Sequence, residues 1–366
     1  MLTSTQETPG GALAYGRTAT LRAQRSRPRA FQFEVRMGSR NILVTGPAIN
    51  EQAVKLIAEN GYQVSYVPPY TSEDDLVRIV TELDPVGVVV RMGRFGSAAI
   101  EAAPSLRVLS KHGVGVDNID VDAASRREIP VVVAAGANAL SVAEHAIALL
   151  FAVVKRIVPL DSSLRAGRWE KAGFAGKELA GMTIGLVGFG AIARQTALFA
   201  KGFGLKVQAF DPFTDEAAFA EAGVRQVTDV DRLLSSSDIL SLHCPLTPDT
   251  RNLLDDRRLG LMKPGSFVIN TARGGLIDED ALLRAVESGQ IAGAGLDTFQ
   301  TEPPGDNHPF WQNQRIVVTP HIGGVTQEAN VRVGVDAVEG ILAIVEGREL
   351  GLERIVNHRA LAKTPA

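Results

Sequence analysis

A chain of 366 residues, 45% of them hydrophobic, is long enough for about two domains with sizeable cores. Its formal net charge of −3 gives no reason to expect nucleic acid or an anionic membrane as a partner, and its longest apolar run, Ala146 to Val154, is too short to span a bilayer. The single cysteine, Cys244, excludes an internal disulfide framework and fits a reducing compartment, so a cytoplasmic location is expected.

Residues 1–38 differ from the rest. Arg17, Arg22, Arg25, Arg27, Arg29 and Arg36 stand against only Glu7 and Glu34, with no sustained period and no apolar stretch of a secretory signal. The segment reads either as an organellar transit peptide or as a disordered extension ahead of a start at Met37. From Arg40 the pattern is regular. Strands are predicted at Asn41–Thr45, Tyr62–Val67, Val86–Arg91, Leu106–Ser110 and Val131–Ala134, with helices at Glu51–Asn60, at Ser72–Leu83 and within Asn118–Glu128. Strands alternating with helices mean a parallel sheet covered on both faces.

Ser141-Val142-Ala143-Glu144 has the form of a capping box, with Ser141 as cap and Glu144 reaching back to it. The helix behind it is apolar almost all round to Val154; it fits either a subunit seam or core packing within one chain. Pro159 is expected to kink or restart it, and Gly167 to end the segment. The domain boundary is placed near Asn138.

Thr183 to Asp211 carries the plainest signal in the chain. A strand at Thr183–Val187 runs into Gly188-Phe189-Gly190-Ala191-Ile192-Ala193, then a helix, then a strand at Val207–Phe210 ending in Asp211. Gly188 permits the tight turn, Gly190 lets the backbone approach a pyrophosphate, and Ala193 lets helix and strand pack closely. The helix N-terminus favours the anion. Asp211 can accept from a ribose 2′-hydroxyl and would repel a 2′-phosphate, and Asp211-Pro212-Phe213-Thr214 offers no cation, so NAD is expected rather than NADP.

Further strands are predicted at Ile239–Leu242, Phe267–Asn270, Ala294–Leu296 and Ile316–Val318, with helices at Asp229–Leu234, Glu279–Ser288 and Gln327–Glu346. Three strand ends carry unusual polar groups. Arg273, between Thr271-Ala272 and two glycines, can clamp a carboxylate or pair structurally with Asp278 or Glu279. Asp297 can hold a nicotinamide carboxamide, and Glu302 precedes a stiff proline pair. His321 follows the last strand and precedes Gly323-Gly324; read with a carboxylate partner it becomes a candidate acid/base.

The chain resembles the D-isomer-specific 2-hydroxyacid dehydrogenase family, in particular its phosphoglycerate dehydrogenase and hydroxypyruvate reductase branch. The resemblance runs from Asn41 to about Asn357. It rests on Gly113-Val114-Gly115-Val116-Asp117-Asn118-Ile119-Asp120, the Ser141–His145 box, the dinucleotide motif, Leu242-His243-Cys244-Pro245-Leu246-Thr247-Pro248, Asn270–Asp278, Leu296–Pro303 and Pro320–Gly324. It implies an α/β fold of two doubly wound parallel-sheet domains. A Rossmann NAD-binding domain, 138–325, would be inserted into a flavodoxin-like substrate domain, 39–137 with 326–357, followed by a flexible tail, 358–366. It implies Arg273 on the substrate carboxylate and carbonyl, His321 as general acid/base and Glu302 as its partner. The implied cofactor contacts are Gly188, Gly190, Ala191, Ile192, Asp211, Pro212, His243, Cys244, Pro245, Thr250, Thr271, Ala272, Asp297, Gly323 and Gly324, with Cys244 covering the adenine rather than acting as a nucleophile. No metal is expected.

The substrate side that the resemblance implies is Arg91, Met92, Gly93, Gly113, Val114, Gly115 and Asn138. Arg91, Arg94 and Lys155 together suit a phosphate or a second carboxylate, but Met92 removes a hydroxyl donor that the branch usually carries. Both 3-phosphoglycerate/3-phosphohydroxypyruvate and hydroxypyruvate/glyoxylate therefore stand as expected pairs. The short stretch after Asn357 suggests no serine-regulated domain. A homodimer through the NAD-binding domain is expected. The alternative from another class is an NAD(H)-sensing, corepressor-like binding protein; a formate dehydrogenase is disfavoured by Glu302.

Overall fold

The computed structural model describes residues 39–362; the expected extension at 1–38 and the last residues of the tail, 363–366, lie outside the described residues. The first sheet has five parallel strands: β1 (Asn41–Thr45), β2 (Gln63–Val67), β3 (Gly87–Val90), β4 (Val108–Lys111) and β5 (Val131–Val133). Their order, β2-β1-β3-β4-β5, is the flavodoxin-like one. Between them run α1 (Glu51–Glu59), α2 (Glu73–Leu83), α3 (Ser97–Glu101) and α4 (Val121–Arg126). Local chemistry starts these helices. Asn50 accepts from the Ala53 amide, and Ser72 from the Asp75 amide ahead of an acidic first turn. The central strand β3, Gly-Val-Val-Val, is buried along its whole length, as a strand covered on both faces must be.

The chain then crosses through α5 (Ala139–Val154) and α6 (Ile157–Arg165) into a second sheet. Its strands are β6 (Thr183–Val187), β7 (Lys206–Phe210), β8 (Arg225–Gln226), β9 (Ile239–Leu242), β10 (Ser266–Asn270), β11 (Ile291–Leu296) and β12 (Ile316–Val318). All are parallel, in the order β12-β11-β10-β9-β6-β7-β8. Counted from β6, this is the doubly wound dinucleotide-binding order with one strand added, and its switch point lies between β6 and β9. Helices α7 (Ala191–Gly202), α8 (Glu216–Glu221), α9 (Val230–Ser236), α10 (Asp256–Leu261) and α11 (Glu279–Glu287) complete it. The elements that patterning does not reveal, α3, α8, α10 and β8, are too short to show a hydrophobic period.

Helix α5 packs against α7, β10, β11 and β12. The approach to β11 is close: a Cβ on Gly293 would stand 2.7 Å from Val153, and one on Gly295 2.9 Å from Leu149. Most of the apolar surface of α5 therefore packs on the core of its own chain. The capping box needs correction. The helix begins at Ala139, and Ser141 lies inside it, donating to the Gly323 carbonyl at 2.7 Å instead of to its own helix end. A loop distant in sequence competes successfully for that hydroxyl.

After β12 the chain returns to the first sheet. Helix α12 (Gln327–Val345) packs on β3, β4, β5 and α1; Ser110 donates to the Ala337 carbonyl, and Asn50 to the Asn330 carbonyl. Ile355 bridges to Val132, and the buried Asn357 side chain bonds Val131, Ile129 and Ser125. The expected flexible tail begins with a helical turn, α13 (His358–Leu361), because the Asn357 carbonyl accepts from Ala360 and Leu361. No helix among the described residues is long and apolar enough to cross a membrane.

Candidate active site at the strand ends of the second sheet

The turn after β6 is shaped to receive a ligand. Gly188 has φ +90°, and a Cβ there would stand 2.8 Å from the His243 backbone, so the loops after β6 and β9 touch at the switch point. Gly190 caps α7 without a side chain, and a Cβ built on it meets nothing within 4 Å. Open space therefore lies over a helix N-terminus whose first N–H groups have no side-chain cap, with Ala191 and Ile192 as its opening residues and Ala193 fully buried beneath. That cradle suits a pyrophosphate.

Asp211 is held at the end of β7 by the Phe189 amide on Oδ2, at 2.7 Å, and the Phe213 amide on Oδ1, at 2.8 Å, across Pro212. In the loop after β9, Thr250 accepts from the Thr247 amide and donates to the Pro245 carbonyl. His243 is half-buried, 2.9 Å from Ser241 Oγ, and desolvation pushes its pKa down to about 4, which leaves it neutral. Burial pushes the Cys244 thiol up to about 11, so it is no nucleophile near neutrality. Next to Ala272, the buried Thr271 Oγ1 has no hydrogen-bond partner among the described residues. An orphaned hydroxyl at the same strand-end edge of the sheet as the open glycine cradle is what a polar ligand such as NAD would complete.

Three candidate side chains, Arg273, Glu302 and His321, converge beyond this cradle. His321 Nδ1 lies 2.7 Å from Glu302 Oε2, and Glu302 Oε1 accepts from the Phe299 amide at 3.0 Å. Burial alone would raise the Glu302 pKa. The hydrogen bond and charge of His321, the Phe299 amide and the Arg273 charge outweigh it and hold the carboxyl below its ordinary range. An ionised Glu302 is an acceptor only, so Nδ1 carries the proton and Nε2 is left as the basic nitrogen.

Arg273, after β10, pairs with neither Asp278 nor Glu279. Its Nε donates to Asp117 Oδ2 at 2.7 Å and its Nη1 to the Ala272 carbonyl at 2.6 Å. A Cβ on Gly115 would stand 1.2 Å from Nη2, so the guanidinium lies directly on the 113–118 loop. Arg273 and Asp117 thereby tie the second sheet to the first.

Beneath His321 sits Asp297, which is 1% exposed. Its Oδ1 accepts from Thr319 Oγ1 at 2.6 Å and from the Ile322 amide at 2.9 Å, and its Oδ2 from the Gly323 amide at 2.7 Å. His145 Nε2 lies 2.8 Å from Thr319 Oγ1. Asp297, expected as a cofactor contact, is thus turned into the 319–323 loop. A Cβ on Gly323 would press on Asp297, and one on Gly324 on Asn138, whose Oδ1 has no partner among the described residues.

On the opposite wall, Gly93 and Gly113 have positive φ, and Met92 and Val114 are exposed. The expected anion ligand Arg91 is turned elsewhere: its guanidinium donates to the Pro47 and Ala48 carbonyls after β1. Lys155 is a correction. It ends α5, sixteen residues after Ala139, and at about 1.5 Å per residue that places it roughly 24 Å from the cleft end of the helix; its ammonium bonds the Lys177 carbonyl. Asp117, Lys111, Thr319 and His145 are the site residues to which sequence reasoning assigned no part. The Asp117-Asn118 pair behind a glycine loop was the one available signal.

Comparison with known proteins agrees with this geometry. Residues 147–323 match the family model described as D-isomer specific 2-hydroxyacid dehydrogenase, NAD binding domain. A hydroxypyruvate reductase of Thermotoga maritima is 39% identical over 306 residues, 83% of this chain and 96% of that protein. The chain belongs to the D-isomer-specific 2-hydroxyacid dehydrogenase family. A D-3-phosphoglycerate dehydrogenase of Archaeoglobus fulgidus is also 39% identical, over 84% of this chain, but the chain spans only 57% of its length. The solved structure of a glyoxylate reductase from Paecilomyes thermophila superposes with a TM-score of 0.79 at 29% identity, covering 88% of this chain and 100% of that one.

Proposed function

We propose that this member of the family is an NAD-dependent D-2-hydroxyacid dehydrogenase, moving a hydride reversibly between NAD(H) and a small 2-hydroxy/2-oxo acid. The observation that carries the reading is the 2.7 Å His321–Glu302 contact, beside Arg273 and beyond an open glycine cradle. NAD(H), when bound, accepts or supplies the hydride. His321 Nε2 takes the hydroxyl proton in oxidation and returns it to the carbonyl oxygen in reduction. Glu302 fixes the tautomer and stabilises the charged imidazole. Arg273 holds the carboxylate through its Nη groups while Asp117 keeps the guanidinium aligned, and the amides of Val114 and Gly115 face the acid, the Gly113 amide being taken by the Lys111 carbonyl at 2.9 Å. Residues 39–137 with 326–357 form the substrate domain in this reading, and 138–325 the cofactor domain.

Among the acids, the unphosphorylated pair hydroxypyruvate/glyoxylate is favoured. Of the three basic residues that would hold a phosphate, Arg91 is engaged with backbone carbonyls and Lys155 is remote. We place the protein in the cytoplasm, which suits the free thiol of Cys244. A homodimer is supported by exposed apolar residues just after α5: Ile157, Val158, Leu164, Trp169 and Phe174.

The test is NADH oxidation with a panel of 2-oxo acids that includes hydroxypyruvate, glyoxylate and 3-phosphohydroxypyruvate. Turnover is expected, and His321→Ala should abolish it with NADH binding retained. Tight NADH binding without turnover of any acid would instead indicate a cofactor sensor.

A further inference from the structure

Lys111 is the charged residue of the cleft that no step above uses. It ends β4, and its stem folds back along Gly113, where an added Cβ would stand 4.0 Å from Lys111 Cε. Its ammonium donates to the Arg91 carbonyl at 3.2 Å and to Asn118 Oδ1 at 2.8 Å, and Asn118 Nδ2 donates on to the Gly93 carbonyl at 2.7 Å. Lys111 and Asn118 therefore bolt the 91–93 turn to the 113–118 loop, the two stretches of backbone that face the acid.

The charge balance around it is unusual. The groups facing the ammonium are Arg91 from the end of β3, Asp117 from the adjoining loop and Arg273 from the loop after β10. Neighbouring His112 is pushed down to about 3, by burial first and then by Arg91 and Lys111, and stays neutral. The carboxylate of Asp117 is already bonded to Arg273, and the two hydrogen-bond partners of Lys111 are uncharged. Burial, followed by the Arg273 charge, brings the Lys111 pKa down to about 8. A partly buried ammonium among other cations is costly unless a negative charge joins it.

We propose that Lys111 sets the affinity of this chain for the anionic end of its acid. It joins the two acid-facing turns, and it holds a positive charge that an entering carboxylate balances. The identity of the acid rests on the dehydrogenase reading; the anion site does not.

The test is a titration of the enzyme–NADH complex with oxalate, an unreactive mimic of a 2-oxo acid, using wild type, Lys111→Met and Lys111→Arg. Melting temperature and NADH affinity are measured alongside. Lys111→Met is expected to weaken oxalate binding about tenfold or more near pH 7 while those two controls hold, and Lys111→Arg to recover most of the loss; a contact worth about 1.4 kcal/mol gives that factor. Anion binding favours the charged form, so affinity falls as pH rises through the pKa. A group with a pKa of about 8 goes from about nine-tenths to about one-tenth charged between pH 7 and pH 9. With the charged form binding about tenfold tighter, wild type should therefore lose about fivefold more affinity over that range than Lys111→Met, in which every other titrating group is shared. With an acid that turns over, the loss should fall on KM rather than kcat. Equal oxalate affinities, parallel pH dependences, or no oxalate binding by wild type would each overturn the proposal. Oxalate binding through Lys111 without turnover of any 2-oxo acid would leave the anion site standing and remove the dehydrogenase reading.

Discussion

His321 has a backbone φ of +54°, a conformation that a side chain rarely adopts, and its surroundings maintain it. Asp297 binds the next two amides and the Thr319 hydroxyl, Ser141 binds the Gly323 carbonyl, and Glu302 binds the imidazole. Asp297 is thus the residue on which the proposed acid/base, His321, depends for position. Asp297→Asn replaces one acceptor oxygen by a donor and orphans at least one buried amide, a loss of about 1–3 kcal/mol in urea unfolding near pH 7. Burial would raise the Asp297 pKa, but the bonds from His145, Thr319, Ile322 and Gly323 outweigh it and hold the pKa below the ordinary value. A depressed pKa contributes stability above the unfolded value of about 3.9 and loses it as pH falls through the folded pKa. The gap between wild type and Asp297→Asn should therefore narrow below about pH 4.

At the scale of elements, the β6–α7 unit separates two glycines that look alike in the sequence. Gly188 is required by the fold, since its φ is +90° and the His243 backbone lies against it. Gly190 has φ −76°, which any residue adopts, and open space where a side chain would go. Gly190→Ala should leave the melting temperature within about a degree or two while weakening NADH binding tenfold or more, because the methyl group enters the pyrophosphate cradle. A normal NADH affinity would remove the cradle from that position. The strand–turn–helix pattern was fully legible here, because its signals lie a few residues apart. Short-range chemistry also starts α2 and α11, where Ser72 and Asp278 accept from the Asp75 and Ala281 amides. Ser141 shows the limit: four residues of capping pattern were overridden by the Gly323 carbonyl, 182 residues away.

At the scale of the molecule, the apolar residues that α5 buries serve its own sheet, and further exposed apolar residues follow it. Trp169 is 76% exposed and Ile157 51%. In the proposed dimer these residues meet a second copy. Trp169→Glu combined with Ile157→Glu should shift the protein from dimer to monomer in analytical ultracentrifugation at micromolar concentration, while wild type stays dimeric; a monomeric wild type would end that reading. The cleft is assembled on the same scale. Arg273 and Asp117 are 156 residues apart and meet at 2.7 Å.

The sequence by itself determined two parallel-sheet layers, the position of the dinucleotide turn, and the order Arg273, Glu302, His321 along successive strand ends. Those properties follow from short-range periodicity, turn chemistry and the rule that ligands sit at the carboxyl ends of parallel strands. Only the tertiary structure decided which partner each polar group takes. Arg91 and Arg273 are both arginines at strand ends, yet one is engaged by the Pro47 and Ala48 carbonyls and the other crosses the cleft to Asp117. A buried donor bonds the nearest acceptor that packing delivers, and that acceptor comes from whichever stretch of chain the fold brings alongside.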